Sequence, residues 1–198
     1  MRRCVILVLV LAAALLGACA DRSAYEGSPM DPALTAPGTK LPGDPDTISL
    51  ASPGGRLTLL TFGFTQCPDI CPTTLSDWHR VRSRLGRDAA LVRFVFVSVD
   101  HRKDTPTSAA QFARRFDPRF IGVAPDSAHL ATLLPYFQAE AVYSPGASGH
   151  EAEVGHTTHS YLIDAKGRIS LVYTFATEPE PIARDIHRML ARGPGNSR

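Results

Sequence analysis

Two predominantly apolar runs of strand length, at residues 57–64 and 91–99, constrain this chain more than any other feature. A run of that length without polar alternation suits a strand buried on both faces of a sheet. Between the two lies one helical stripe. Leu75, Trp78, Val81 and Leu85 recur at helical spacing, Arg80, Arg82 and Arg84 fall largely on the other side, and Gly86 supplies the stop. Further along, Thr105 and Pro106 read as an N-cap followed by proline at the first helical position, opening a helix through Ala109, Phe112, Ala113 and Phe116. A short strand is expected at 119–123, then a helix capped by Asp126 that buries Leu130, Leu133 and Leu134 and ends at Pro135. Residues 157–163 and 168–175 read as a hairpin about the turn 164–167. A last helix near 180–191 buries Ile182, Ile186, Met189 and Leu190. Strands and helices in alternation, closing on a hairpin and a helix, predict an α/β domain with a central mixed sheet flanked by helices.

Where the first run gives way to the first helix stand two cysteines, in Gln66-Cys67-Pro68-Asp69-Ile70-Cys71-Pro72. Their spacing is one residue longer than the dithiol redox motif. Sulfurs four residues apart at a helix start can face one another across a single turn. They can close a disulfide or hold a soft metal ion. A bridge over so small a loop removes little unfolded-state entropy, which argues against a purely structural role. A strand-to-helix turn is also where thioredoxin-like proteins carry working thiols, and a thioredoxin-like fold fits the alternation best.

The front of the chain reads as an export signal. Arg2 and Arg3 precede an apolar run at 5–16, and Leu16-Gly17-Ala18-Cys19 looks like a bacterial lipobox with a lipid on Cys19. The run is short of the roughly 20 residues that a bilayer span needs. As a cleaved lipoprotein signal over 1–18 or as an uncleaved signal anchor, it predicts the same location. The domain is expected in the bacterial cell envelope, membrane-anchored on the extracytoplasmic, periplasmic side. Cys4 leaves with the signal and Cys19 is acylated, so Cys67 and Cys71 remain as the thiols of the mature chain. Residues 19–46 are rich in Pro, Gly, Ser and Asp without apolar period. They are expected to form the lipidated N-terminus and a flexible linker with an r.m.s. span of about 30 Å, ahead of a single domain over 47–198. The formal charge of +2 includes Arg2 and Arg3, and no basic run follows. Nucleic-acid binding therefore has no electrostatic support.

Three segments carry a family resemblance. Residues 62–72 resemble the signature of the Sco/SenC copper chaperones, membrane-tethered thioredoxin-fold proteins that help assemble the dinuclear copper centre of cytochrome c oxidase. Val97-Ser98-Val99-Asp100 with Asp104-Thr105-Pro106 is similar to the family's second characteristic stretch. Val154-Gly155-His156-Thr157, followed by Ser160-Tyr161-Leu162-Ile163-Asp164, is similar to the stretch with its histidine ligand. The resemblance covers residues 48–190. It implies copper, as Cu(I), Cu(II) or both, held by Cys67, Cys71 and His156. It also implies a metallochaperone rather than a bond-breaking enzyme. The partner would be the copper-bearing subunit of cytochrome c oxidase or another copper chaperone. The donor chemistry agrees, because two thiolates suit Cu(I) and imidazole also suits Cu(II). Three positions depart from the family pattern. Gly155 stands where the family carries Asp, His101 stands where it carries Pro, and the stretch before Leu57 is too short for the usual N-terminal hairpin.

Rival readings remain at this stage. His150 and His159 lie close enough in sequence to replace His156 as ligand. His156 is expected on a loop end before a strand at 157, with His159 inside that strand. The stretch 138–155 is long for a loop in a compact domain, and reads as a flap that brings in a third ligand or as an exposed insertion. His79, His101, His129 and His187 have no constellation about them, and the replacement at 101 is expected to alter only a loop. The rival function is a membrane-tethered thiol–disulfide oxidoreductase, with Cys67 and Cys71 as nucleophile and resolver, acting even on the cysteines of a copper acceptor. The cysteine spacing counts against it, as does His156-Thr157 where thioredoxin-like reductases carry a cis-proline.

Overall fold

The computed structural model describes residues 25–51, 53–144 and 153–192. Strands β4 (Leu57–Gly63) and β5 (Val92–Ser98) are buried at every position. They pair in parallel from Leu57↔Val92 to Gly63↔Ser98. Parallel neighbours need a crossover, and helix α1 (Ile70–Leu85) supplies it. Strand β6 (Ile121–Val123) continues the parallel set beyond β5. On the other flank β9 (Ser160–Ile163), β10 (Ile169–Tyr173) and β1 (Ser28–Pro29) add antiparallel strands. The sheet order is β1-β10-β9-β4-β5-β6, a mixed sheet of the expected class.

The pleat divides the two apolar runs between two cores. Leu59, Phe94 and Phe96 meet Leu75, Trp78 and Val81 of α1, Phe112 of α2 (Pro106–Arg114), and Ile182 and Ile186 of α4 (Pro179–Arg192). Leu60, Phe62, Val95 and Val97 face the opposite side, against Leu130 and Leu133 of α3 (Ser127–Leu133) and against Phe137. Each such side chain contributes about 1.5–3 kcal/mol on burial. With both faces covered, the few polar residues in the runs are buried and partnered: Arg93 Nε donates to Thr58 Oγ1 at 3.0 Å, and Thr61 Oγ1 donates to His159 O at 3.0 Å. The helix ends follow local chemistry. Thr105 and Ser108 form a reciprocal capping box around Pro106, the Asp126 side chain accepts from His129 N, and Gly86 ends α1 at φ 54.

The front of the domain differs from expectation. The linker expected through residue 46 is held against the sheet from Tyr25 onward. Ser28 pairs with Val172, Met30 N donates to Ser170 O at 3.1 Å, and Ala36 N donates to Gly167 O at 2.8 Å. Met30, Ala36 and Leu41 are buried. Isolated apolar anchors in a Pro- and Gly-rich stretch show no periodicity, so they escape a search for helical or strand pattern. Strands β2 (Lys40–Leu41) and β3 (Ile48–Ser49) make a hairpin of two residues a side, the shortened form expected there. The signal expected at 1–18 and the lipidation at Cys19 lie outside the described residues. Among the described residues no helix is long and apolar enough to cross a membrane.

The late segment differs as well. Strand β7 (Ala141–Ser144) pairs with β8 (Glu153–His156), so the stretch expected as a loop is a hairpin whose residues 145–152 lie outside the description. The next strand begins at Ser160 rather than at 157, because Thr157 N donates to Glu140 O at 3.0 Å and closes the β7–β8 ladder instead.

One buried charge ties the front to the last helix. Asp185 is 0% exposed and accepts from Glu26 N at 2.9 Å, Gly27 N at 2.9 Å and Tyr173 Oη at 3.2 Å. Asp185→Ala strands those donors, and should lower stability by about 2–4 kcal/mol. The urea unfolding midpoint measures it, and a shift under about 0.5 kcal/mol would refute the role.

Candidate metal centre

Strand β4 ends at Gly63, and the chain turns through 64–69 before α1 begins. Cys67 N donates to Phe64 O at 3.2 Å, closing that turn. The residue before the helix, Asp69, makes no side-chain cap. Instead Cys71 N donates to Cys67 Sγ at 3.4 Å, so a sulfur satisfies one of the orphan N–H groups of the helix start. Both cysteines are buried and free. The third group arrives from the other side of β4. His156 closes β8, and its Nε2 lies 3.7 Å from Cys71 Sγ. Trp78 of α1 donates through Nε1 to Ser160 Oγ at 3.2 Å, which pins the cysteine-bearing helix to the strand that follows His156.

Hydrogen bonding settles the state of the imidazole. Nδ1 lies 3.0 Å from the Thr157 carbonyl, which can only accept, so Nδ1 carries the proton. Nε2 then presents its lone pair to the cysteines and takes the Cys71 thiol proton as acceptor. Burial holds the His156 pKa below the ordinary histidine range, with the Thr157 carbonyl opposing. Burial also pushes the Cys71 thiol well above its usual range, helped by the Cys67 side chain and by the Asp104 charge. One ligand atom each from Cys67, Cys71 and His156 lies within 4.8 Å of the others, which suits a single soft metal ion.

The family model described as SCO1/SenC matches residues 43–191. The chain belongs to the SCO1/SenC family. It is 30% identical over 132 residues to a SCO2-like protein of Rickettsia felis, covering 65% of this chain and 63% of that one. The match thus spans less than two thirds of that relative. Among solved structures, copper-bound ScoI of Bradyrhizobium japonicum is similar at 32% identity and TM-score 0.67, over 82% of this chain and 98% of that one. Apo Sco1 of Thermus thermophilus is similar at 27% identity and TM-score 0.75, over 85% and 98%. These neighbours accord with the thioredoxin-like reading of the sheet.

Among the described residues, the other histidines stand apart from this centre. The His159 ring lies beside Tyr161 at 6.2 Å, and His150 lies outside the described residues. His79, His129 and His187 pair with Asp117, Asp126 and Asp88 on half-buried to exposed surfaces. Gly155, expected to depart from the family pattern, costs the ring little. Neighbouring strand residues point to opposite faces, so a side chain at 155 would project outward, while Thr157 O already holds Nδ1.

Two supporting residues escaped the sequence reading. A Cβ at Gly63 would stand 2.7 Å from Cys71 Sγ and 2.5 Å from the Phe96 ring, so glycine leaves the space that the sulfur fills. Asp104 takes Thr65 N at 2.8 Å, Thr65 Oγ1 at 2.5 Å and Ser98 Oγ at 2.5 Å, fastening the cysteine turn to the end of β5. The only signal for Asp104 was its place in the second family-like stretch.

Gly63→Ala should destabilise the fold by about 1–3 kcal/mol through overpacking. Thermal unfolding checks this, and a neutral result would mean that Cys71 is not confined as described. In the reduced parent at pH 7, Cys71 should alkylate at least about tenfold more slowly than free cysteine, because its raised pKa leaves little thiolate. The rate should climb as pH rises. Mass mapping of iodoacetamide adducts against time measures it, and a rate equal to free cysteine would contradict the assignment.

Proposed function

We propose that this chain is a membrane-tethered metallochaperone that carries copper to the dinuclear copper centre of cytochrome c oxidase. The carrying observation is the convergence of Cys67, Cys71 and the Nε2 lone pair of His156 on one point. Two thiolates favour Cu(I), and the added imidazole lets the same set hold Cu(II). The copper ion is cargo. Three protein donors leave it open to an incoming thiolate or imidazole, so it passes to the acceptor by stepwise ligand exchange. That acceptor is the copper-bearing oxidase subunit or another copper chaperone. Cys19 carries the lipid, and the domain sits on the periplasmic face of the bacterial envelope.

Several observations support this reading over thiol–disulfide exchange as the main role. The cysteine spacing is wider than a dithiol redox motif, and the His156 imidazole, whose pKa burial lowers, brings Nε2 to 3.7 Å from the Cys71 sulfur. Reduced protein beginning at Ala20, so that the packed residues from Tyr25 remain, should retain one copper per chain. It should also show thiolate-to-copper charge-transfer absorption after Cu(II) is added. Cys67→Ser or Cys71→Ser should abolish tight binding, and His156→Ala should weaken it by at least about 10–100-fold with the fold intact. Failure to retain copper, with the pair cycling readily between dithiol and disulfide, would move the assignment to a tethered oxidoreductase. Parent-like affinity in His156→Ala would remove the histidine from the ligand set.

A further inference from the structure

The described residues of the hairpin that carries His156 meet the body of the domain through the Phe64 ring, edge-on to the His156 ring at 5.7 Å, through partly buried Ala141 and Val154, and through a polar contact at Tyr143. Its register pairs Ala141 with His156 and Tyr143 with Val154. Strand alternation therefore puts Ala141, Tyr143, Val154 and His156 on the face turned to the domain, while Val142 on the other face is 57% exposed. Ala141 and Val154 pack only partly buried against the second core. Tyr143 reaches further. Its hydroxyl donates to Val99 O at 2.6 Å. With that proton committed, the 3.3 Å contact with His101 Nδ1 must be a bond that Tyr143 Oη accepts. The His101 ring stands edge-on to the Tyr143 ring at 5.1 Å, and the Arg102 guanidinium lies over it at 4.7 Å.

The loop that receives Tyr143 is the one that holds the cysteines. Val99 N donates to Gly63 O at 2.8 Å, and Gly63 abuts the Cys71 sulfur. Asp104, at the far end of the same loop, fastens Thr65. Residues 99–104 thus grip the cysteine turn on one side and the His156 hairpin on the other. His101, expected to alter only a loop, is part of this grip.

We propose that Tyr143 is the positioning residue for His156, fixing the hairpin to the 99–104 loop so that Nε2 is presented to Cys71. Its bearing on copper rests on the metallochaperone reading above, while its hold on the hairpin does not. Tyr143→Phe keeps the ring for Arg102 and removes both hydroxyl contacts. Two measurements on the full chain in detergent test the proposal. Hydrogen exchange of the reduced, metal-free protein should show faster exchange over 141–144 and 153–157 in the variant, with β4 and β5 unchanged. Unaltered exchange in the hairpin would overturn the proposal whether or not copper binds. For Cu(I), release to a bathocuproine chelator should quicken by about five- to tenfold, the worth of one hydrogen bond. That increase should vanish when Tyr143→Phe is placed in a His156→Ala background, since the hydroxyl acts through the imidazole. The same increase in both backgrounds would mean general loosening of the domain and would also overturn it. A parent that takes no copper would sink the metallochaperone reading, and the exchange result would still decide the role of Tyr143.

Discussion

The centre depends on what happens at the last residue of β4. Gly63 has to serve three neighbours at once. Its carbonyl accepts from Val99 N, its paired position in the sheet is Ser98, and its missing side chain is the space into which Cys71 Sγ fits. Any Cβ there would collide with the sulfur or with the Phe96 ring. The strand can thus end flush against the helix start, and α1 can carry a sulfur in its first turn without pushing the sheet apart. Parallel pairing makes this possible, because it sets the ends of β4 and β5 side by side, where loops from both can meet.

From that point the electrostatics follow. The sulfur of Cys71 is enclosed by Gly63, Phe96 and the helix, so water cannot stabilise its thiolate, and Asp104 nearby adds negative charge. The same desolvation keeps His156 neutral. Cys71 Sγ thus favours its protonated form beside the Nε2 acceptor. A soft ion of charge one or two replaces that proton, and binding is linked to proton release. His156 is less deeply enclosed than the cysteines and comes from a separate hairpin, so in the proposed ligand exchange the imidazole would be the donor best placed to yield first. The arrangement combines two firmly held sulfurs with one donor whose hold is set elsewhere.

The packed front of the domain changes the physical picture of the tether. A linker of free coil through residue 46 would let the domain wander by about 30 Å. With Glu26 and Gly27 held by Asp185, and Ser28 paired to β10, the packed domain begins six residues after the proposed anchor at Cys19. Fully extended, that spans only about 20 Å. On the proposed anchoring at Cys19, a domain at that distance would meet acceptors whose copper sites lie near the membrane surface, at a correspondingly raised effective concentration.

What could be read from the sequence divides along a physical line. Residues whose identity carries their chemistry announced themselves: Cys67 and Cys71 through spacing, His156 through its neighbours, and Thr105, Pro106 and Asp126 through the capping they perform. The buried strands were legible because burial on two faces leaves a predominantly apolar signature. Residues that act through position alone were silent. Gly63 matters for an absent atom, Asp104 for three donors that converge from two different segments, and Thr157 for a backbone carbonyl that any residue would offer. The hairpin of β7 and β8 hid because strands of four residues with half-exposed alternation, separated by a Gly- and Pro-rich stretch, resemble a loop. The contact of His101 with Tyr143 hid for the same reason. It joins residues 42 apart in sequence, and no local pattern encodes a partner so far away.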